Sequence, residues 1–341
     1  MSYLQHSDVL DIYVEPYIQS GFRLPNQPYS YYYRSLFSLH NETLSVWTHL
    51  VGAFIIILQM LNHIQLTSSP YIISYIIYNG IGACVMLLCS AQAHLFHSRN
   101  LQDHLRLFYL DYLGINFYGF ISGIVHYRFS RVDSVYELFN ESTYYSLLSC
   151  LSLYSLSIAC FCKFYYRRPY PFVHKILQCS GVLIVYVYQI WPIILQIIAC
   201  YNCKSSLKWH FAEVLSFIAS GTVFVLKFPE RFHPGTFDLI GQSHHTFHGF
   251  IFLMGFFQSE ATYRDMLQLK DQIKLQHLQK DIIYACVILT LELLIIYVSL
   301  RLGFIRLEKH YEKHLEKLHQ NFNRNDGNIT SDDYESIKKI E

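Results

Sequence analysis

Long apolar stretches, each interrupted by only a few polar residues, recur along almost the whole chain. Each contains about 17 to 25 residues, enough for an α-helix to cross a hydrocarbon core of about 30 Å. The predicted spans are 47–66, 71–95, 109–127, 144–164, 176–200, 209–228, 239–258 and 281–300. We expect Pro192 to kink the fifth span, which a bundle tolerates because neighbouring helices satisfy the freed carbonyl. The pattern predicts an all-α, polytopic membrane helix bundle.

More polar segments flank this predicted transmembrane bundle of residues 47–300. Residues 1–46 are rich in tyrosine, proline and polar side chains, and they form the predicted N-terminal segment. From Arg301 the tail, 301–341, carries a charged helical pattern that Asn325-Asp326-Gly327-Asn328 interrupts. We expect a solvated helix there, with a partner-binding helix as the alternative. The first residues lack the basic and then apolar pattern of a cleavable signal peptide, so the first span is expected to act as the insertion signal.

The composition agrees with a membrane protein. Hydrophobic residues make up 52% of the chain and charged residues 15%, whereas an average soluble domain contains about 25% charged residues. The net charge is +1 and the chain has no long basic run, so we expect no nucleic-acid partner. Most of the nine cysteines lie in predicted spans, where packing is favoured over disulfides. Cys200 and Cys203 have CxxC spacing, but incidental loop cysteines are favoured over a metal site.

The distribution of lysine and arginine between the predicted loops gives a weak indication of orientation. It favours a cytoplasmic N-terminus, mainly because the first outer loop contains no lysine or arginine and the tail is basic. In this orientation Asn140-Glu141-Ser142, a candidate glycosylation site, lies outside.

Polar residues inside the predicted spans are concentrated at one membrane face. Consecutive spans alternate in direction, so the end of span two and the starts of spans three and seven share a face in either orientation. These ends contain Ser90 and His94, then Asp111, then His244 and His248. Aspartate and histidine are costly inside a membrane, and they are expected to face the bundle interior and to have a function or a partner.

The three histidines have the chemistry of a transition-metal site. His244 and His248 are one helical turn apart and therefore leave the same helix face. Neutral imidazoles suit Zn²⁺ better than Ca²⁺ or Mg²⁺. Three ligands, His94 included, leave a fourth tetrahedral position for a water molecule, whose pKa zinc lowers from about 15.7 to about 7. Asp111 is then expected to hold this water, and Ser90, one turn before His94, to reach the water or Asp111.

Each of these residues also has a simpler interpretation. A single HxxxH pair is a weak motif in a chain with 18 histidines, and Asp111 alone could be the N-cap of the third span. His245 leaves the helix at the wrong angle and is expected to be a polar packing residue. We expect His97 and His104 to be solvated loop residues, and His126 to lie at the opposite membrane face.

Several short motifs resemble those of the progestin and adipoQ receptor (PAQR) family. Three motifs resemble the stretch that leads into the family's seventh helix: Phe228-Pro229-Glu230-Arg231, Pro234-Gly235-Thr236-Phe237-Asp238 and Gly241-Gln242-Ser243-His244. Four further motifs resemble the family's other signatures and occur in the same order: Asn41-Glu42-Thr43, Trp47-Thr48-His49, Ser90 with His94, and Leu110-Asp111-Tyr112-Leu113-Gly114. Flanking motifs such as Ser20-Gly21-Phe22-Arg23, together with the eighth span, resemble the membrane progestin receptor branch more closely than the adiponectin receptors.

This resemblance implies a plasma-membrane receptor with a seven-helix core, an eighth C-terminal transmembrane helix and a cytoplasmic N-terminus. It implies Zn²⁺ near the cytoplasmic leaflet, bound by His94, His244 and His248, with Asp111 as the water-holding carboxylate. The implied partners are a steroid or sphingolipid-type small molecule and a G protein or adaptor. The family's relation to alkaline ceramidases implies an alternative, a zinc-dependent lipid amide hydrolase in which Asp111 and Ser90 are catalytic. A purely structural zinc that joins spans two and seven is the third interpretation.

Overall fold

The computed structural model describes residues 3–130, 140–166, 170–199, 205–269 and 275–324. These residues form ten α-helices, in chain order α1 (Tyr29–Ser35), α2 (Thr43–Gln65), α3 (Pro70–Phe96), α4 (Leu101–Phe129), α5 (Glu141–Tyr165), α6 (Phe172–Gln189), α7 (Trp191–Ala199), α8 (Leu207–Leu226), α9 (Ser243–Gln268) and α10 (Leu275–Arg324). Two short 3₁₀ turns, His6–Asp8 and Asp11–Tyr13, precede α1. The predicted all-helical class is confirmed.

Long apolar helices make this a multi-pass membrane protein. By length and composition, α2, α3, α5, α8 and the Leu275–Arg306 part of α10 can each cross a membrane. The pair α6 and α7 adds a sixth span if it is counted as one helix bent by 46°. This bend lies immediately before Pro192 and confirms the predicted kink. Helices α4 and α9, also predicted to span, have 29 and 26 residues and are long enough for a hydrocarbon core of about 30 Å. They are too polar to be among these candidates, so the described residues contain five or six candidate spans, against the eight predicted.

Several helices begin or end away from the predicted span boundaries, and local structure explains two of these differences. Helix α4 begins at Leu101 rather than at residue 109, because the Asn100 side chain accepts a hydrogen bond from the Asp103 amide and caps the helix there. Helix α9 begins at Ser243 rather than at 239, because the preceding residues form turns and Gly241 has a φ of +86°. The helical pattern after Arg301 is confirmed as far as Arg324, whereas Cys200, Cys203 and residues 325–341 lie outside the described residues.

Helix α3 packs mainly against α2 and α4, while α9 packs mainly against α8 and α2. The approach of α3 and α4 is close at Gly114, where an added Cβ would lie 3.0 Å from the Met86 Cα. A side chain at this position would push the two helices apart. The close approach brings Asp111, one turn before Gly114, beside the last turns of α3.

Buried charges attach α10 to the rest of the bundle. Arg128 of α4 pairs with Asp281 of α10 at 2.6 Å, and the hydroxyl groups of Tyr75 and Tyr145 donate to the same carboxylate. Further along α10, the Ser152 hydroxyl of α5 donates to Glu292 at 2.8 Å. Because Asp281 and Glu292 are both fully buried, and because unpaired charges inside a membrane protein are costly, α10 is an integral helix of the bundle.

Candidate functional site

The end of α3 and the beginning of α9 meet at one end of the bundle, which we call the site face. Glu230 fixes where α9 begins, since its Oε2 accepts a hydrogen bond from the Ser243 amide at 2.8 Å and its Oε1 accepts one from the Ser243 hydroxyl. A carboxylate at a helix N-terminus satisfies free amide groups and interacts favourably with the helix dipole. This cap sets the direction in which His244 and His248 leave the first two turns of α9.

Three imidazole nitrogens converge at the site face. The Nε2 atom of His244 lies 3.3 Å from Nε2 of His94 and 3.0 Å from Nε2 of His248. A tetrahedral zinc ion with Zn–N bonds of about 2.0–2.1 Å separates its ligand nitrogens by about 3.3–3.4 Å. His94 and His248 are buried and His244 is partly buried. The spacing and the chemistry of the donors therefore fit Zn²⁺, which these three side chains would hold.

A carboxylate orients the first of these imidazoles. The Nδ1 atom of His94 lies 2.8 Å from Oε2 of Glu42, the residue just before α2, and the other Glu42 oxygen lies 3.3 Å from His97 Nε2. Carboxylates in this position fix the tautomer of a ligand histidine and raise its basicity. On α2, His49 stacks on His248 with 4.0 Å between the ring centroids. Glu42 and His49 were not predicted as site residues, although span one also begins at the site face.

Asp111 and Ser90 lie beside the three histidines. Ser90 interacts with the Asp111 carboxylate, which also interacts electrostatically with His94. Asp111 lies in the third turn of α4, so the interpretation of this residue as an N-cap was wrong, and Asn100 has that role. The Oδ1 atom of Asp111 is buried and has no hydrogen-bond partner among the residues that the structure describes. This oxygen can accept a hydrogen bond from a water molecule or from a substrate group.

The remaining histidines of the sequence analysis have different environments. His97 and His104 are buried, at 5% and 1% exposure, so the expectation that they are solvated was wrong. The N-terminal segment covers them, and the Tyr13 ring packs edge-on against His104 with 5.4 Å between centroids. His245 contacts the Asn41 carbonyl at 3.2 Å, which confirms a polar packing role. His126 lies near the far end of α4, away from the site face, as predicted.

The N-terminal segment is attached directly to the site. Arg23 is buried and donates to the carbonyl oxygens of His94 and Leu95 at 2.7 and 2.6 Å, which are among the last carbonyls of α3 and have no partner within the helix. Burial, assisted by the charge of Arg23, lowers the pKa of His40 to about 3. His40 therefore stays neutral, and its Nδ1 accepts a hydrogen bond from the Glu42 amide.

Three of the short motifs hold this segment in place. Asp238 accepts hydrogen bonds from the Gln19 amide and the Ser20 hydroxyl at 3.1 and 2.7 Å, and the Gln242 side chain donates to the Asn41 carbonyl at 2.8 Å. Gly21 has a φ of +83°, and an added Cβ would lie 2.5 Å from Leu239 Cδ2. These motif residues thus have a structural role, which is to close the site face with residues 19–42.

The fold and the site together define a polytopic helical membrane protein with a three-histidine candidate metal centre at one end of the bundle. The sequence matches the Haemolysin-III related family over residues 37–259, and the chain belongs to this family. This match confirms the resemblance seen in the short motifs.

Curated relatives of the chain are membrane progestin receptors. Membrane progestin receptor beta of Mus musculus is 31% identical over 271 residues, which cover 76% of this chain and 75% of the relative. Membrane progestin receptor alpha-B of Danio rerio is 30% identical over 291 residues, covering 83% and 81%. Membrane progestin receptor alpha of Homo sapiens is 27% identical over 268 residues, covering 77% and 76%.

Proposed function

We propose that this chain is a plasma-membrane receptor of the membrane progestin receptor type, with Zn²⁺ held by His94, His244 and His248. In this proposal residues 1–46 are cytoplasmic, 47–300 form the bundle that binds a steroid or sphingolipid-type ligand, and 301–341 form a cytoplasmic tail. A G protein or adaptor would receive the signal. The receptor class is supported by the names and the coverage of the relatives.

The observation that carries the proposal is the direct attachment of the N-terminal segment to the candidate metal centre. Arg23 binds the carbonyl oxygen of His94, and Glu42 binds the imidazole of the same residue. A ligand that changes the packing of α3 against α9 would therefore move residues outside the membrane. This is the mechanical connection that a receptor needs in order to pass a change in the bundle to a cytoplasmic partner.

Saturable binding of labelled progesterone to membranes from cells that express the chain tests the receptor proposal. We expect binding that unlabelled progesterone displaces and that is absent from membranes of untransfected cells. Arg23→Gln should retain this binding while reducing ligand-dependent signalling, because it weakens the contact with α3. Membranes that contain the folded chain but show no saturable binding would contradict a progestin ligand.

A second candidate function, zinc-dependent lipid amide hydrolysis at the cytoplasmic leaflet, is favoured by the free Oδ1 atom of Asp111. Bound zinc would supply Lewis-acid polarisation of an amide carbonyl and a nucleophile at neutral pH. Asp111 would orient and accept the proton of a water molecule, and Ser90 would hold the Asp111 carboxylate in position.

Asp111→Asn separates this candidate from a purely structural zinc. If the site is catalytic, the variant should keep its zinc and lose at least about 100-fold in ceramide turnover, because general-base catalysis contributes about 10²–10⁴-fold. Asp103→Asn is the matched control, since Asp103 lies on the same helix and pairs with Arg99 away from the three histidines. Wild-type protein without turnover above a metal-stripped sample would exclude the hydrolase and leave the receptor proposal standing.

A further inference from the structure

A second cluster of buried histidines and carboxylates lies at the opposite end of the bundle from His94. It combines His126 near the end of α4, His210 and Glu213 in the first two turns of α8, and Asp265 near the end of α9. All four side chains are fully buried. His126 is about 22 Å along α4 from Asp111, and Asp265 is about 25 Å along α9 from His248, at a rise of about 1.5 Å per residue. This opposite-face cluster is therefore separate from the site described above.

Hydrogen bonds fix the tautomer of His126. Its Nδ1 atom lies 3.2 Å from the Gln189 carbonyl oxygen, which can only accept, so Nδ1 carries the hydrogen. The Tyr118 hydroxyl bonds to Oε1 of Gln258, which turns the Gln258 amide group towards His126 at 3.2 Å. The Nε2 atom of His126 consequently accepts a hydrogen bond from the Gln258 amide group, and it lies 3.6 Å from Oε1 of Glu213.

His210 is oriented in the same way. Its Nε2 atom donates to Oδ2 of Asp265 at 3.0 Å, and the other Asp265 oxygen accepts a hydrogen bond from Ser206. Its Nδ1 atom lies 3.1 Å from Oε2 of Glu213. The Asp265–His210 pair thus repeats the arrangement of Glu42 and His94, in which a carboxylate holds the far nitrogen of an imidazole whose other nitrogen faces a cluster of donors.

Both imidazoles border one buried carboxylate. Among the described residues, Oε1 of Glu213 has no hydrogen-bond donor, and the residue has no exposed surface. A buried carboxylate oxygen without a donor is costly unless a cation or a proton compensates its charge. The candidate donor atoms of His126, His210 and Glu213 all lie within 4.8 Å of one another.

We infer that His126, His210 and Glu213 form a second metal site, which takes a divalent ion of the Zn²⁺ type. Two imidazoles with one carboxylate are a donor set typical of zinc and of neighbouring transition metals, whereas Ca²⁺ and Mg²⁺ prefer oxygen ligands alone. His210 Nδ1 lies 3.1 Å from Oε2 of Glu213 and His126 Nε2 lies 3.6 Å from its Oε1, so each imidazole borders one oxygen of the carboxylate. The ion would join α4 to α8, and through His210 and Asp265 it would also fix α9.

The metal content of the purified full-length chain tests this inference. After exposure to Zn²⁺ and removal of the excess, we expect two zinc ions per chain in wild-type protein. Glu213→Gln and His126→Asn should each retain one ion, His244→Asn should retain one, and Glu213→Gln combined with His244→Asn should retain none. His63→Asn is the matched control, because His63 pairs with Glu260 alone at 2.9 Å and offers two donors rather than three. It should retain two.

A second readout separates the two sites in one sample. Co²⁺ bound by three imidazoles and Co²⁺ bound by two imidazoles and a carboxylate have different visible spectra, so the component lost in Glu213→Gln should differ from the component lost in His244→Asn. A wild-type chain that holds a single ion, which His244→Asn removes and Glu213→Gln does not, would overturn the inference and assign a proton to the cluster. A wild-type count of two ions supports the inference even where one variant fails to fold. Loss of the other ion alone, the one that His244 holds, would count against the proposed function and not against this site.

Discussion

Replacing Glu42 by glutamine tests the role of the carboxylate that orients His94. The substitution keeps the size of the side chain and one hydrogen-bond acceptor, but it removes the negative charge 2.8 Å from His94 Nδ1. Glu42 and His94 are both buried, at 7% and 4% exposure, so bulk water does not replace the lost interaction. Mutation of such a carboxylate typically weakens metal binding by about 10–100-fold, which corresponds to about 1.4–2.7 kcal/mol.

The assay is an equilibrium competition for Zn²⁺ between metal-stripped protein in detergent and a zinc-binding dye. The Kd is measured for the zinc ion whose binding is lost in His94→Ala. We expect this Kd to rise by about 10–100-fold in Glu42→Gln. Glu260→Gln is the matched control, because Glu260 makes the same contact with His63, at 2.9 Å, at the opposite end of α2. An unchanged Kd in Glu42→Gln, or an equal loss in both variants, would refute the proposed link between Glu42 and the metal.

Three further predictions concern the parts of the fold that hold the site. In a thermal unfolding assay, Gly21→Ala should destabilise the protein by at least about 1–2 kcal/mol, because position 21 has a positive φ and an added Cβ would clash with Leu239. Gly249→Ala is the control: the added Cβ has no described atom within 4 Å, so the variant should be as stable as the wild type or slightly more stable. Asp281→Ala should cost about 1–3 kcal/mol, because Tyr75 and Tyr145 lose their buried acceptor while Arg128 keeps Glu141 at 2.9 Å. Lys280→Ala, at a partly exposed pair with Glu141, should cost about 0–1 kcal/mol in the same unfolding assay. Glu230→Gln should destabilise the protein by about 1–2 kcal/mol, because it weakens the cap of α9. Amide hydrogen exchange should then increase at the start of α9 and not in α5. Unchanged exchange at the start of α9 would contradict the capping role.

The long helices could be predicted from the sequence because each contains an apolar stretch of about membrane length, and a hydrocarbon core admits little besides helices. Their ends could not, since they depend on single side chains. Asn100 extends α4 into a region that reads as a polar loop, and this explains why His104 is a buried helical residue. Gly241 and the Glu230 cap delay the start of α9, although Leu239 and Ile240 are apolar.

The convergence of Ser90, His94, Asp111, His244 and His248 could be predicted because consecutive spans alternate in direction. Alternation fixes only the side of the membrane on which a residue lies. It therefore also places the beginning of span one, with Glu42, at the site face, although Glu42 was not predicted as a site residue. Applied to the opposite face, it would have brought together His126, His210 and Asp265.

Distances, tautomers and unsatisfied atoms required the structure. No sequence pattern indicates that Arg23 binds the carbonyl of His94, or that Oε1 of Glu213 is buried without a partner. Both depend on the packing of segments that are distant in the sequence. Ligand-binding residues for a steroid could not be assigned from tyrosine and phenylalanine at helical spacing, because such stripes are usually core.

An anomalous difference map, recorded at the zinc absorption edge from crystals of the full-length chain, tests the central claim most directly. We predict a peak about 2.0–2.1 Å from the Nε2 atoms of His94, His244 and His248. Zinc-containing crystals with no peak at this point, or with a peak held instead by Glu42 and His97, would contradict the account.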